Sequence, residues 1–183
     1  MKYFLITLLA FFLVTACDNA KKYNTEITEI DSFQSKLDSL ETELNSYNLD
    51  SLNYMQKEAE ANEGVIKKYY LADTINMTFG DKLDKNKGVR KRLIGVDSKK
   101  TALLKELSEL KIQFKDLKTD VLEGLYNASQ INDYLNVERL DYKLLDENVK
   151  AFDINIKKQK RHFYYANPAI KLYCEELLSQ IEK

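Results

Sequence analysis

The stretch Glu26-Ile27-Thr28-Glu29-Ile30-Asp31-Ser32-Phe33-Gln34-Ser35-Lys36-Leu37-Asp38-Ser39-Leu40-Glu41-Thr42-Glu43-Leu44-Asn45-Ser46-Tyr47 places Ile30, Phe33, Leu37, Leu40, Leu44 and Tyr47 at alternating steps of three and four. Side chains with that spacing line one side of a helix, and the alternation is the heptad pattern of a helix pressed lengthwise on another. The spacing predicts a helix over residues 26–47. The positions between are Glu, Asp, Ser, Thr, Gln, Lys and Asn, which suit a solvated opposite side.

Outward from that stretch, Tyr47-Asn48-Leu49-Asp50-Ser51 reads as a turn in which Asp50 or Ser51 can cap the next helix. Leu52, Met55, Ala59, Asn62, Ile66 and Tyr69 repeat the spacing and predict a helix over 51–77. So short a turn implies an antiparallel hairpin of these two helices. Asn62 in the seam is suited to setting register, at some cost in stability. Residues 78–97 break the pattern. They hold Gly80, Gly88 and Gly95, three of the five glycines, among many charges, and a loop is expected there with a helical turn near 89–94. Beyond it, Asp97 or Ser98 can cap a helix over 98–126 carrying Leu103, Leu107, Leu110, Phe114, Leu117, Val121 and Leu125. Asn127 and Ser129 then punctuate a turn before a helix over 129–163, with Tyr142, Leu145, Val149, Phe152, Ile156 and Phe163 in register. Pro168 suits the first position of a last helix over 168–182. Residues 26–183 therefore predict an all-α domain: an elongated antiparallel helical bundle, or helical hairpins, with coiled-coil-like packing.

The chain opens Met1-Lys2-Tyr3 and continues Phe4-Leu5-Ile6-Thr7-Leu8-Leu9-Ala10-Phe11-Phe12-Leu13-Val14-Thr15-Ala16-Cys17. One cation precedes an apolar run of about 11 residues, the length of a signal-peptide core and short of the ~20 that span a bilayer. Leu13-Val14-Thr15-Ala16-Cys17 resembles the lipobox of bacterial lipoproteins, with a large apolar residue a few positions before the cysteine and a small one directly before it. The resemblance covers residues 1–17. It implies a signal peptide over 1–16, cleavage before Cys17, diacylglycerol on the Cys17 thiol and usually acylation of the new amino terminus. It also implies export and anchorage to a membrane of the bacterial cell envelope, inner or outer. Two or three acyl chains hold stably where one does not, at ~0.8 kcal/mol per buried methylene. Asp18-Asn19-Ala20-Lys21-Lys22 opens a polar stretch read as a flexible tether over 17–25.

Without residues 1–16 about 167 remain, and loss of Lys2 moves the net charge from −1 to −2. That balance gives no overall attraction to nucleic acid or anionic lipid. Five glycines, one proline and 31% charged residues agree with long helices. With Cys17 acylated, Cys174 has no disulfide partner, and its place on the stripe Ile170, Tyr173, Cys174, Leu177, Ile181 predicts a buried, inert thiol.

Catalytic and metal signatures are missing. His162 is the single histidine, in Lys157-Lys158-Gln159-Lys160-Arg161-His162, where neighbouring cations repel a metal ion, and it reads as an exposed structural side chain. A di-iron bundle needs Glu-x-x-His, and residue 159 is Gln. Cys-x-x-Cys, His-Glu-x-x-His, Gly-x-Ser-x-Gly and phosphate-cradling glycine loops do not occur. Carboxylates beside lysines on helix faces read as solvated surface. No catalytic residue, cofactor or metal ligand is assigned.

Two features stand out. Lys82, Lys85, Lys87, Arg90, Lys91 and Arg92, followed by Lys99 and Lys100, form a basic stretch suited to headgroups, an acidic partner or a polyanionic glycan, or simply to a solvated loop. Twelve tyrosines, including Tyr69-Tyr70 and Tyr164-Tyr165, suit half-buried interhelical positions and interfaces. The expectation is a non-enzymatic, lipid-anchored envelope protein acting through protein contacts as a structural, assembly or accessory factor. Its partners are the membrane, an envelope protein and, as a further candidate, a second copy of the chain. The alternative is a lipoprotein that holds a small apolar or anionic molecule between its helices, as a binding or inhibitory factor.

Overall fold

The computed structural model describes residues 19–70 and 76–181. Residues 1–16, expected as a signal peptide, and Cys17, the expected lipidation site, lie outside the described residues. Among these residues the fold is an all-α helical bundle without strands. Residues 19–22 are helical and lead into α1 (Asn24–Asn45), α2 (Leu49–Tyr69), α3 (Met77–Leu93), α4 (Val96–Glu123) and α5 (Ala128–Ile181). The contacts divide the chain into two compact units, with boundaries at Ser46/Tyr47, Thr101/Ala102 and Val149/Lys150. The single helical domain expected over 26–183 is thus two units.

The first unit takes α1, most of α4 and the first part of α5. Ile30, Leu37, Leu44, Leu107, Phe114 and Val121 of the predicted stripes are buried to within 1% exposure, and Ile131 and Leu135, which the predicted stripe of the next helix did not include, join them in the core. Phe33 stacks on Phe114 at 5.0 Å and meets Tyr142 at 4.9 Å. Asp31 pairs with Lys118 and Asp38 with Lys111, partners whose numbers fall as the other's rise, so α1 and α4 run antiparallel. Glu29 pairs with Arg139 and Phe33 with Tyr142, partners whose numbers rise together, which makes α1 parallel to α5.

The second unit takes α2, α3, the start of α4 and the rest of α5. Leu52, Met55, Ala59, Val89, Leu93, Phe152, Ile156, Ala166 and Ile170 are buried. Tyr54 meets Phe163 and Tyr70 meets Tyr173, so α2 and α5 run parallel, with α3 antiparallel to both through Asn86 to Ala59 and Phe79 to Tyr173. α1 and α2, expected as a hairpin, belong to different units.

Four expected boundaries are corrected. Residues 78–97 are mostly helix: Leu83, Asn86, Val89 and Leu93 make an inward stripe, and Asn86 sits in it because its amide donates to the Ala59 carbonyl at 2.8 Å. The break falls later, at Gly95, whose φ of +72° is costly for any residue with a Cβ. The two last helices are one. Pro168 removes the N–H that the Tyr164 carbonyl would accept, but both residues are exposed, so water can serve that carbonyl and the helix continues. The helix expected over 51–77 is capped by Asn48, which accepts from the Ser51 N–H at 2.9 Å, and ends at Tyr69. The tether expected over 17–25 is helical from residue 19, with Tyr23 buried.

α4 ends in a Schellman motif. Leu125 N–H donates to the Asp120 carbonyl and Gly124 N–H to that of Val121, with Gly124 at φ +74°. Leu125, expected in the core, is thereby turned out and is 60% exposed. α5 begins with a reciprocal cap: Asn127 Oδ1 accepts from Gln130 N–H, and Gln130 Oε1 from Asn127 N–H.

Candidate functional site

The six predicted basic residues lie on α3 but do not form one patch. Arg90 turns to Glu63 on α2, with Nε at 2.6 Å and Nη2 at 3.3 Å from the two carboxylate oxygens. Burial works against the Glu63 carboxylate, yet the hydrogen bonds from Lys67 and Arg90 outweigh it and hold its pKa below the usual range. Lys85 pairs with Asp81, and both Lys82 and Lys85 lie over the Tyr165 ring, at 5.5 and 5.3 Å from its centroid. Lys87, Lys91 and Arg92 are exposed and make no ion pair among the described residues. Arg90, Lys91 and Arg92 also occupy the last turn of α3, where cations offset the helix dipole, so part of the basic run has a structural reason.

A groove of about 300 Å³ between α3 and α5 gathers Lys85, Lys87, Lys91, Arg92 and Lys158 against the single carboxylate of Asp84, with Gln159 and His162 in its wall. Hydrogen-bond direction there is determined. The Arg92 carbonyl can only accept, so Asn155 presents its NH₂ to it. Asn155 Oδ1 then accepts from Gln159 Nε2 at 3.2 Å, which leaves Gln159 Oε1 as a buried acceptor without a partner among the described residues. His162 Nδ1 is likewise buried and unpaired. His162, expected to be exposed, is half-buried. Burial first, then Lys158, Lys85 and Arg161, lower its pKa, against a weaker pull from Asp81. The imidazole is therefore neutral near pH 7. Cys174 is buried as expected, its Sγ 3.6 Å from the Asn62 carbonyl, and burial raises its pKa. Among the described residues no three metal-ligating side chains cluster, and no helix is long and apolar enough to cross a membrane.

No protein-family model matches the sequence, and neither a curated protein nor a solved structure is significantly similar to it. The surface itself must therefore carry the functional reading.

On the first unit, α5 exposes Val137, Leu140 and Leu144, each more than half exposed, at steps of three and four. This is a second apolar stripe, distinct from the core stripe of Ile131, Leu135, Leu145 and Val149 on the same helix. Leu144 also borders a groove of about 350 Å³ with Leu110 and Leu145, edged by Glu106, Glu109 and Asp141. The signal for the stripe was present in the sequence, but Leu144 beside Leu145 hides two stripes in one apolar pair.

Proposed function

We propose that the chain is a lipid-anchored helical protein of the bacterial cell envelope that acts through contacts with a partner protein, as a structural, assembly or accessory factor. The observation that carries the contact reading is the exposed stripe Val137, Leu140 and Leu144. Single exposed apolar residues are ordinary, but a run at helical spacing is the pattern one helix presents to another. The carboxylates of Glu106, Glu109 and Asp141 beside it suit a partner helix with Lys or Arg flanking its apolar residues. Anchorage is supported by the Leu13–Cys17 pattern behind an apolar run. The test is crosslinking in intact cells with wild type and with Leu140→Glu/Leu144→Glu. A discrete partner recovered with wild type and lost with the variant, at unchanged helical signal, is expected. Recovery of the same partner with both contradicts the reading.

A second reading, a holder of a small anion, is favoured by the five cations around the α3–α5 groove. Titration with pyrophosphate at low salt tests it: heat of binding lost in Lys91→Glu/Arg92→Glu is expected, and no heat with wild type removes it.

A further inference from the structure

We propose that the α4–α5 turn of the first unit, Leu125 and Tyr126, lies against the headgroup layer of the membrane. The inference rests on acylation of Cys17. Residue 19 is held in place. Asn19 Nδ2 donates to the Leu122 carbonyl at 3.2 Å, capping the C-terminal end of α4, while the Asn19 carbonyl accepts from the buried Tyr23 at 2.9 Å. The packing is close enough that a Cβ at Gly124 would stand 2.6 Å from Asn19 Nδ2. Two Cα steps separate Cys17 from Asn19, a reach of at most ~8 Å. The Cα of a cysteine whose acyl chains enter the bilayer sits at the interface, and the polar layer on each side is itself only ~6 Å deep. Covalent reach therefore keeps Asn19 within ~8 Å of the interface, a distance comparable to the depth of the headgroup layer.

That surface is built for the interface. Leu125 is 60% exposed at the tip of a turn. The Tyr126 ring meets that of Tyr134 in a tilted contact at 4.8 Å, and its hydroxyl donates to Asp120 at 3.0 Å. Tyrosine and leucine at a turn, with the long stems of exposed Lys21 and Lys22 nearby in the chain, match the residue types found at membrane–water boundaries. Glu123 is exposed at the same turn, so charge attraction is weak and apolar insertion carries the contact.

The protein contains no tryptophan, which makes a single reporter clean. Full-length protein with Leu125→Trp, purified in its acylated form, is placed in vesicles of phosphatidylethanolamine and phosphatidylglycerol containing headgroup-nitroxide lipid. Ile112→Trp, also exposed on α4 and ~17 Å before its end, serves as the control. Quenching of about twofold or more at 125 and little at 112 is expected for a side chain at headgroup level. Weak, equal quenching at both positions in vesicle-bound protein overturns the contact alone. Protein that takes up no fatty acid and binds no vesicle overturns both the contact and the anchor.

Discussion

In the first unit the fully buried residues are all apolar, from Ile30 to Val149, and its ion pairs stay at the edges as Glu29–Arg139, Asp31–Lys118 and Lys111 with Asp38 and Glu41. Glu138 tucks one carboxylate oxygen, Oε2, away from solvent without a partner among the described residues, and burial raises its pKa. In the second unit the core admits amides. Asn62, Asn86, Gln159 and Asn167 are the buried polar residues among those described, and all four belong to it. Helix directions are alike in the two, one antiparallel helix against two parallel ones. The difference is therefore not topology but what fills the seam. An apolar seam is held by volume and tolerates sliding, whereas Asn62 Nδ2 to Asn167 Oδ1 at 2.8 Å and Asn86 to the Ala59 carbonyl fix the relative height of three helices. The cost is that every buried amide must find a partner, and Gln159 Oε1 does not.

The comparison can be broken most severely in the first unit. Phe114→Ala should cost about 3–5 kcal/mol, because a fully buried ring stacked on Phe33 is replaced by a cavity. Urea unfolding followed by circular dichroism measures it, and a loss below 1 kcal/mol would mean that this core is loosely packed. Next, Asn167→Ala should cost about 1–3 kcal/mol by leaving the buried Asn62 amide without its acceptor. Asn62→Leu/Asn167→Leu, which removes both, should cost less than the single change. A double variant worse than the single would show that these amides contribute stability rather than register.

Smaller effects sharpen the picture at the periphery. Arg139→Lys removes a fork that meets both Glu29 oxygens at 2.7 Å, yet the pair is about one-third exposed, so a loss of about 0.5–1 kcal/mol is expected. The Arg139 hydrogen bond holds Glu29 below its usual pKa, and the loss should shrink as the pH falls below the carboxylate range. The smallest effect is at His162. Its folded-state pKa is lowered, so as pH falls below about 6.5 the unfolded chain takes up the proton first and stability declines. His162→Gln should flatten stability between pH 7.5 and 5.5 while leaving the acid limb set by Glu29, Glu63 and Asp153. An unchanged slope would place the imidazole in solvent.

How much was legible follows the same division. The stripes of α1 and α4 read directly, because apolar residues at steps of three and four report their own burial. α3 was hidden: Asn86 occupies a core position, Gly80 and Gly88 mimic loop punctuation, and only the contact with Ala59 explains the polar residue. Pro168 signalled a helix start because sequence alone does not say that Tyr164 faces water. The cap from Asn19 to Leu122 joins residues 103 apart, and no local pattern announces it. The basic run was visible, but not that Glu63 claims Arg90, so charge reversal belongs at Lys87, Lys91 and Arg92.

The contact reading is tested most directly by a photo-crosslinking residue placed at 140, and separately at the equally exposed Leu172 of the second unit, in anchored protein in living cells. A discrete heavier adduct from position 140 and none from 172 is expected. Equal adducts from both, or none from 140 in protein that remains anchored, would contradict it.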